Sequence, residues 1–229
     1  AEVREGKERI RTALHSIGVI LPAKRITINL SPAHIRKNGT GFDLPIAVAI
    51  MQSLGMVTKE SCEGRLFIGE LGLNGQILPV NGILPVVSDG EKEEIREFVV
   101  PKENENEGRL VKGVEVYSFS NLKEVLDFLN GKPYVHQPYN IEETLTSITM
   151  DFKDVCGQKY IKRACEVAAS GMHNILLVGP PGAGKTMIAE RLSTILPPLT
   201  EGERLELSKI YSVCGLLSNK NALIPMRPF

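Results

Sequence analysis

Asn174-Ile-Leu-Leu-Val178 runs straight into Gly179-Pro-Pro-Gly-Ala-Gly-Lys-Thr186, and the reading of this stretch decides the fold. The second part fits G-x-x-x-x-G-K-[ST] at every specified position: Gly179, Gly184, Lys185 and Thr186, with Pro180, Pro181, Gly182 and Ala183 filling the loop. The first part is a short apolar run, the pattern of a buried strand. Met187 to Leu196 then places Ile188, Leu192, Ile195 and Leu196 at helical spacing. Strand, glycine loop and helix is the order that triphosphate binding needs, and this context separates the motif from a chance glycine-rich turn. Glycines let main-chain amides close around phosphates, and the helix N-terminus adds positive potential there. Lys185 is expected to reach the β- and γ-phosphates of ATP, and the Thr186 hydroxyl to ligate Mg²⁺.

The rest of the chain is consistent with a two-domain protein. It has 229 residues, 42% of them hydrophobic, enough to bury a core. No apolar run is long enough for a membrane span, and the charged start, Ala1 to Arg11, is not a signal peptide. The chain starts with Ala rather than Met and ends on Ile224 to Phe229 without a terminating pattern, so the expectation is an internal piece of a longer protein. Four cysteines (Cys62, Cys156, Cys165, Cys214) form no C-x-x-C pair, which argues against zinc and disulfides and fits a reducing cytoplasm. Net charge is zero, giving no global attraction to nucleic acid. Ala1 to Thr40 nevertheless holds eight Lys/Arg against three Glu, a dilute basic stretch that reads either as a solvated face or as a polyanion contact.

Local patterns predict the elements. Glu2 to Ser16 is an amphipathic helix stopped by Gly18; Arg25 to Leu30 alternates as a strand; Phe42 to Leu54 is a buried helix with Gly55 at its C-terminus. Leu73-Asn-Gly-Gln76 between apolar runs predicts a tight hairpin whose Asn-Gly supplies positive φ. Glu97 to Val100 and Val114 to Phe119 read as strands, and Ser120 as the N-cap of a helix over Leu122 to Leu129. The expected domains are 1–130, a linker at 131–150, and 151–229. The last contains a helix from Lys159 to Ser170 and another capped by Thr200.

Longer matches point to families. Phe152-Lys-Asp-Val-Cys-Gly-Gln158, followed by the glycine loop, resembles the opening of an AAA+ ATPase module. The resemblance implies that Val155, Cys156, Gly157 and Gln158 lie against the adenine. Ile195-Leu-Pro-Pro-Leu199, Lys209 to Leu217 and Arg227-Pro-Phe229 resemble the magnesium-chelatase-like ComM family, as do Arg25 to Ala33 and Gly41 to Ile46 in the first domain. Membership implies ring-forming ATPases, expected here as a homo-hexamer. Competence members of the family are implied to drive branch migration of DNA, branched or single-stranded, during recombination.

The first domain also resembles the proteolytic domain of Lon proteases, at Lys37 to Gly41, Leu78 to Leu84 and Pro101 to Asn104. The implied fold class is α/β overall: a Lon-like α+β domain of the ribosomal S5 domain 2 type, then the start of an AAA+ α/β domain. Gly41 stands at the nucleophile position and Leu84 at the base position. A Ser–Lys mechanism needs a hydroxyl and an amine, so the fold is expected without the hydrolysis. Thr40 is the nearest hydroxyl and reads as a turn residue; Lys37 reads as a loop lysine or a polyanion contact.

Glu190, Glu201, Glu203 and Glu206 follow the glycine loop, but none follows a strand pattern, so none reads as the acidic motif that holds Mg²⁺ and orients water. This segment is expected to bind ATP without hydrolysing it, the hydrolytic residues lying beyond Phe229. The leading expectation is a DNA-remodelling motor, with Lys24, Arg25, Arg36 and Lys37 as candidate phosphate contacts. The alternatives are an ATPase subunit of a metal chelatase, an ATP-dependent protease, and a non-hydrolytic nucleotide-gated adaptor.

Overall fold

The computed structural model describes residues 2–23, 25–30, 39–136, 138, 150–217 and 223–227, with side chains from Gly6 onward. The elements are α1 (Glu2–Ser16), α2 (Asp43–Ser53), β1 (Arg65–Phe67), β2 (Glu70–Leu71), β3 (Ile77–Leu78), α3 (Ile83–Lys92), β4 (Glu97–Pro101), α4 (Glu105–Gly108), β5 (Glu115–Phe119), α5 (Leu122–Leu129), α6 (Lys159–Gly171), α7 (Lys185–Leu192) and α8 (Glu201–Val213). They fall into two compact units: residues 1–142 with 208–223, and residues 143–207 with 224–229.

The first unit is a mixed α/β layer structure around a parallel sheet of order β1-β4-β5. Parallel neighbours require crossover connections. The chain between β1 and β4 includes α3, and that between β4 and β5 includes α4. The central strand β4 shows why the sheet is covered on both faces. Its side chains alternate: Phe98 and Val100 pack with Ile83, Val87 and Val116 on one side. Val99 points to the other side, into the core made with Leu14, Leu44, Met51, Leu122 and Val125. Phe98, Val99 and Val100 are all 0% exposed.

The helices over Glu2 to Ser16 and Phe42 to Leu54 and the strands at 97 and 114 are found within a residue or two of their expected limits. Three expectations are corrected. Arg25 to Leu30 is extended but joins no ladder among the described residues. A strand needs a hydrogen-bonding neighbour, and alternation alone does not supply one. The hairpin at Asn74-Gly75 has positive φ only at Gly75 (81°). Gly72 N–H bonds Gln76 O at 2.8 Å and Gly75 N–H bonds Gly72 O at 3.0 Å. This is a three-residue loop closed by a left-handed glycine, not the two-residue turn that Asn-Gly suggests. The N-cap of α5 is Asn121, whose side chain accepts from Glu124 N–H at 3.0 Å, while Ser120 N–H donates to the Glu124 carboxylate at 2.9 Å. The cap therefore sits one residue later and is reciprocal. Helices α3 and α4 make no side-chain cap hydrogen bond, and neither was anticipated.

The second unit is smaller. Phe152, Val155, Cys165 and Ile188 form its core, with Ile175, Leu177 and Met187 packed against them. Residues 174–178, expected as a buried strand, form no ladder; Leu176 is 84% and Val178 86% exposed, although Ile175 and Leu177 face the core. The alternation of a strand is present, but no described residue of this unit forms a strand to pair with it. Among the described residues no helix is long and apolar enough to cross a membrane.

Candidate nucleotide-binding site

The glycine loop ends in α7, which begins at Lys185, two residues before the sequence pattern suggested. Gly184 caps it in the left-handed region at φ 78°, and Gly182 lies at φ 81°. A side chain at either position would strain the backbone. Lys185 Nζ donates to Gly179 O at 2.9 Å and to Pro180 O at 2.8 Å. The ammonium is thus folded over the mouth of the loop, at the positive end of the α7 dipole. An anion entering there meets amides, helix terminus and ammonium from one side. The Thr186 hydroxyl side chain is exposed next to it.

Residues 155–158 are brought to the same place. A Cβ on Gly184 would lie 3.6 Å from Gln158 Nε2. Gly157 (φ 70°) and Gln158 (φ 48°) are successive left-handed residues that turn the chain into α6. Cys156, Gly157 and Gln158 are exposed, whereas Val155 is 0% exposed in the core with Ile188 of α7. Val155 therefore locks the segment to the loop helix, and the three following residues present themselves outward.

Sequence reasoning missed what holds this segment. Asp151 and Asp154 form a capping box around the short turn Phe152–Asp154. The Asp151 carboxyl is held below its ordinary value by the amide of Lys153, then by its ammonium. Thr194 Oγ1 accepts from Phe152 N–H at 3.1 Å and donates to Arg191 O at 2.8 Å, tying the turn to the end of α7. Asp-x-x-Asp before an apolar residue was the available signal; the Thr194 contact spans 42 residues and had none. Glu190 is half-buried, 4.0 Å from Arg191, and Glu203 closes the α8 cap with Thr200.

Gly41 and Leu84, expected at Lon-like nucleophile and base positions, are in the first unit. Gly41 is closely packed: a Cβ there would sit 3.3 Å from Ile68 Cγ1. Leu84 is 0% exposed in α3. Thr40 donates its hydroxyl to the Glu70 carboxylate, a partner thirty residues away in sequence. Lys24, Arg36 and Lys37 lie outside the described residues; Arg25 is exposed.

Comparison with known proteins places the chain in a family. A family model described as subunit ChlI of Mg-chelatase matches residues 1–104, and one described as magnesium chelatase, subunit ChlI, matches residues 151–229. The competence protein ComM of Haemophilus influenzae is 38% identical over 216 residues, covering 92% of this chain and 42% of its own. YifB of Salmonella typhimurium, an uncharacterized protein, is 40% identical over 211 residues, with the same coverage of 92% and 42%.

The chain belongs to the ComM/YifB magnesium-chelatase-like family.

This family is one of AAA+ ATPases, which implies nucleotide binding, and AAA+ proteins are typically oligomeric. Lon protease 2 of Bacillus subtilis is 24% identical over 143 residues, covering 62% of this chain and 25% of its own. The chain spans less than half the length of the ComM/YifB relatives, 42% in the two cases given.

Proposed function

We propose that this chain carries the ATP-gripping part of a ring-forming, DNA-remodelling motor, beside a first domain that keeps a Lon-like fold without its hydrolysis. The observation that carries the reading is the Lys185 ammonium, 2.9 Å and 2.8 Å from the Gly179 and Pro180 carbonyls at the head of α7. Those carbonyls hold the lysine where the β- and γ-phosphates of ATP would exchange for them. Gly179 to Thr186 form the phosphate cradle. Thr186, exposed beside the loop, would supply a hydroxyl oxygen to Mg²⁺, a metal that takes oxygen ligands. Cys156, Gly157 and Gln158 would flank the base; Val155, 0% exposed in the core, positions that segment rather than touching the base as the resemblance implied. Bound Mg²⁺ neutralises phosphate charge; this chain's residues supply grip and orientation.

The DNA part of the proposal is supported by the similarity to a protein named for competence. Hydrolysis is assigned to the longer protein, not to these residues. The same 229 residues titrated calorimetrically with Mg·ATP test the grip: binding is expected, and Lys185→Ala with an unchanged circular-dichroism spectrum should abolish it. Retained affinity in that variant would refute the site. Binding of the full-length homologue to forked or single-stranded DNA, weakening steeply with salt, tests the DNA role.

A second reading has its own support, since both matching family models carry the name of a Mg-chelatase subunit. Co-purification of a porphyrin-binding partner, with no DNA affinity, would favour a metal-insertion ATPase. The adaptor reading requires that the full-length homologue bind ATP without turnover.

A further inference from the structure

We infer that the first unit binds extended peptides that are aliphatic and acidic, in a cavity between α1, α2 and residues 25–30. This goes beyond the nucleotide reading and does not depend on it. The cavity has a volume of about 400 Å³, within the range of ligand sites. Ile10, Ile26, Ile28, Phe42, Ile46 and Ile50 line it. Ile26 and Ile28 are 42% and 45% exposed, large apolar side chains left open to water. Burying such surface is favourable by roughly 25 cal/mol per Å².

Three features choose the occupant. Among the described residues the lining is largely aliphatic, with Phe42 its one aromatic side chain. Single-stranded nucleic acid is held by stacking on aromatic side chains along a cationic track, so aliphatic side chains fit this cavity better than bases do. Second, residues 25–30 are extended without a ladder among the described residues, and Ile26, Ile28 and Leu30 all line the cavity. An added strand would bond the main chain there and send alternate side chains into the cavity. Third, among the described residues Lys7, Arg9 and Arg11 of α1 line the same space, against one lining carboxylate, Asp43, which Arg9 engages at 2.9 Å. The positive balance complements acidic residues at the ends of an aliphatic peptide.

The test uses the 229-residue chain and a fluorescein-labelled nonamer in which three leucines alternate with threonines between acidic ends. Fluorescence anisotropy should rise saturably. A matched peptide with lysine ends should bind about tenfold more weakly. Ile28→Glu should also weaken binding about tenfold, as should the double variant Lys7→Glu/Arg11→Glu, which keeps the test valid if the first variant misfolds. A labelled oligo-dT runs alongside. Peptide binding that is absent at millimolar concentration, or indifferent to end charge and to both variants, overturns the proposal. So does oligo-dT binding that the variants abolish while the peptide stays unbound, which would make this a nucleic-acid surface. Failure of Mg·ATP binding in the same preparation would strike the nucleotide reading and leave this one standing.

Discussion

The main-chain amide of Leu84 donates to the buried carboxylate of Glu107 at 2.9 Å. Leu84 is the position that the resemblance to Lon-type sequences pairs with a lysine base. The first turn of α3 is here a fixed structural joint. Glu107 also accepts from Asn104 Nδ2 at 3.0 Å and from the Ser212 hydroxyl, and Ser212 belongs to the same unit. Asn104 in turn brackets Val80, accepting from its amide at 3.1 Å and donating to its carbonyl at 2.9 Å. The carboxylate thus organises the segment that leads into α3.

Glu107→Ala should therefore be costly. It leaves buried donors without an acceptor, each worth about 1–3 kcal/mol. Urea unfolding should show a loss of about 3 kcal/mol for the first unit, with Glu107→Gln losing less because one acceptor oxygen remains. A loss within experimental error of wild type for Glu107→Ala would remove the joint from the account.

Placing a serine at position 41 and a lysine at position 84 should not create a protease. Gly41→Ser must displace Ile68, whose Cγ1 lies 3.3 Å from the new Cβ. Leu84→Lys would bring an ammonium to a site that is 0% exposed, at a cost of several kcal/mol, about 3 or more. The double variant should be strongly destabilised and should release no fluorescence from labelled casein.

Gly184 caps α7 at φ 78°. Alanine there meets the left-handed penalty of about 1–2 kcal/mol, without a clash, since Gln158 Nε2 is 3.6 Å from the added Cβ. Gly184→Ala should lower the melting temperature modestly and weaken Mg·ATP binding by more than that strain implies, because the loop amides are displaced. Calorimetry and thermal melts on one sample separate the two effects.

Cysteine labelling can locate the nucleotide. Cys156 and Cys214 are exposed, Cys62 is partly covered, and Cys165 is buried, with burial pushing its thiol above the usual range. Iodoacetamide should modify Cys156 and Cys214 first and Cys165 only on unfolding. Mg·ATP should slow modification of Cys156 and leave Cys214 unchanged. Equal rates at Cys156 with and without nucleotide would separate residues 156–158 from the base.

Acid should loosen two turns of the second unit. Glu203 is held below its ordinary 4.5, first by the Thr200 amide, then by Arg227 and the Thr200 hydroxyl. Asp151 is likewise held below its ordinary 3.8 by Lys153. A lowered folded value means that the stabilisation is complete above the ordinary value and disappears as pH falls through the folded one. The protection of the Thr200 and Lys153 amides relative to their intrinsic exchange rates should therefore fall below about pH 4, and Glu203→Gln should make the first turn of α8 insensitive to acid.

The legible parts of this molecule were those with a local cause. The α1 amphipathic pattern, the run 42–54 and the Thr200 cap announced themselves through spacing within a few residues. The glycine loop announced its conformation, because glycines tolerate φ near 80° at little cost. The 25–30 and 174–178 segments misled, since alternation marks which side chains share a face and not whether a neighbouring backbone exists to pair with. Thr194 against Phe152 and Glu70 against Thr40 were invisible for a related reason: each joins residues thirty or more positions apart.

By itself, the sequence determined that this chain carries the G-x-x-x-x-G-K-T pattern, with glycine at 41 and leucine at 84, because those properties reside in side chains present or missing at particular positions. Only the tertiary structure decided that Gln158 stands beside Gly184, that Glu107 secures the helix at Leu84, and that α1, α2 and residues 25–30 enclose a cationic, aliphatic cavity. Such relations come from packing, in which distant segments meet through burial of apolar surface, and no local pattern encodes which of them will meet.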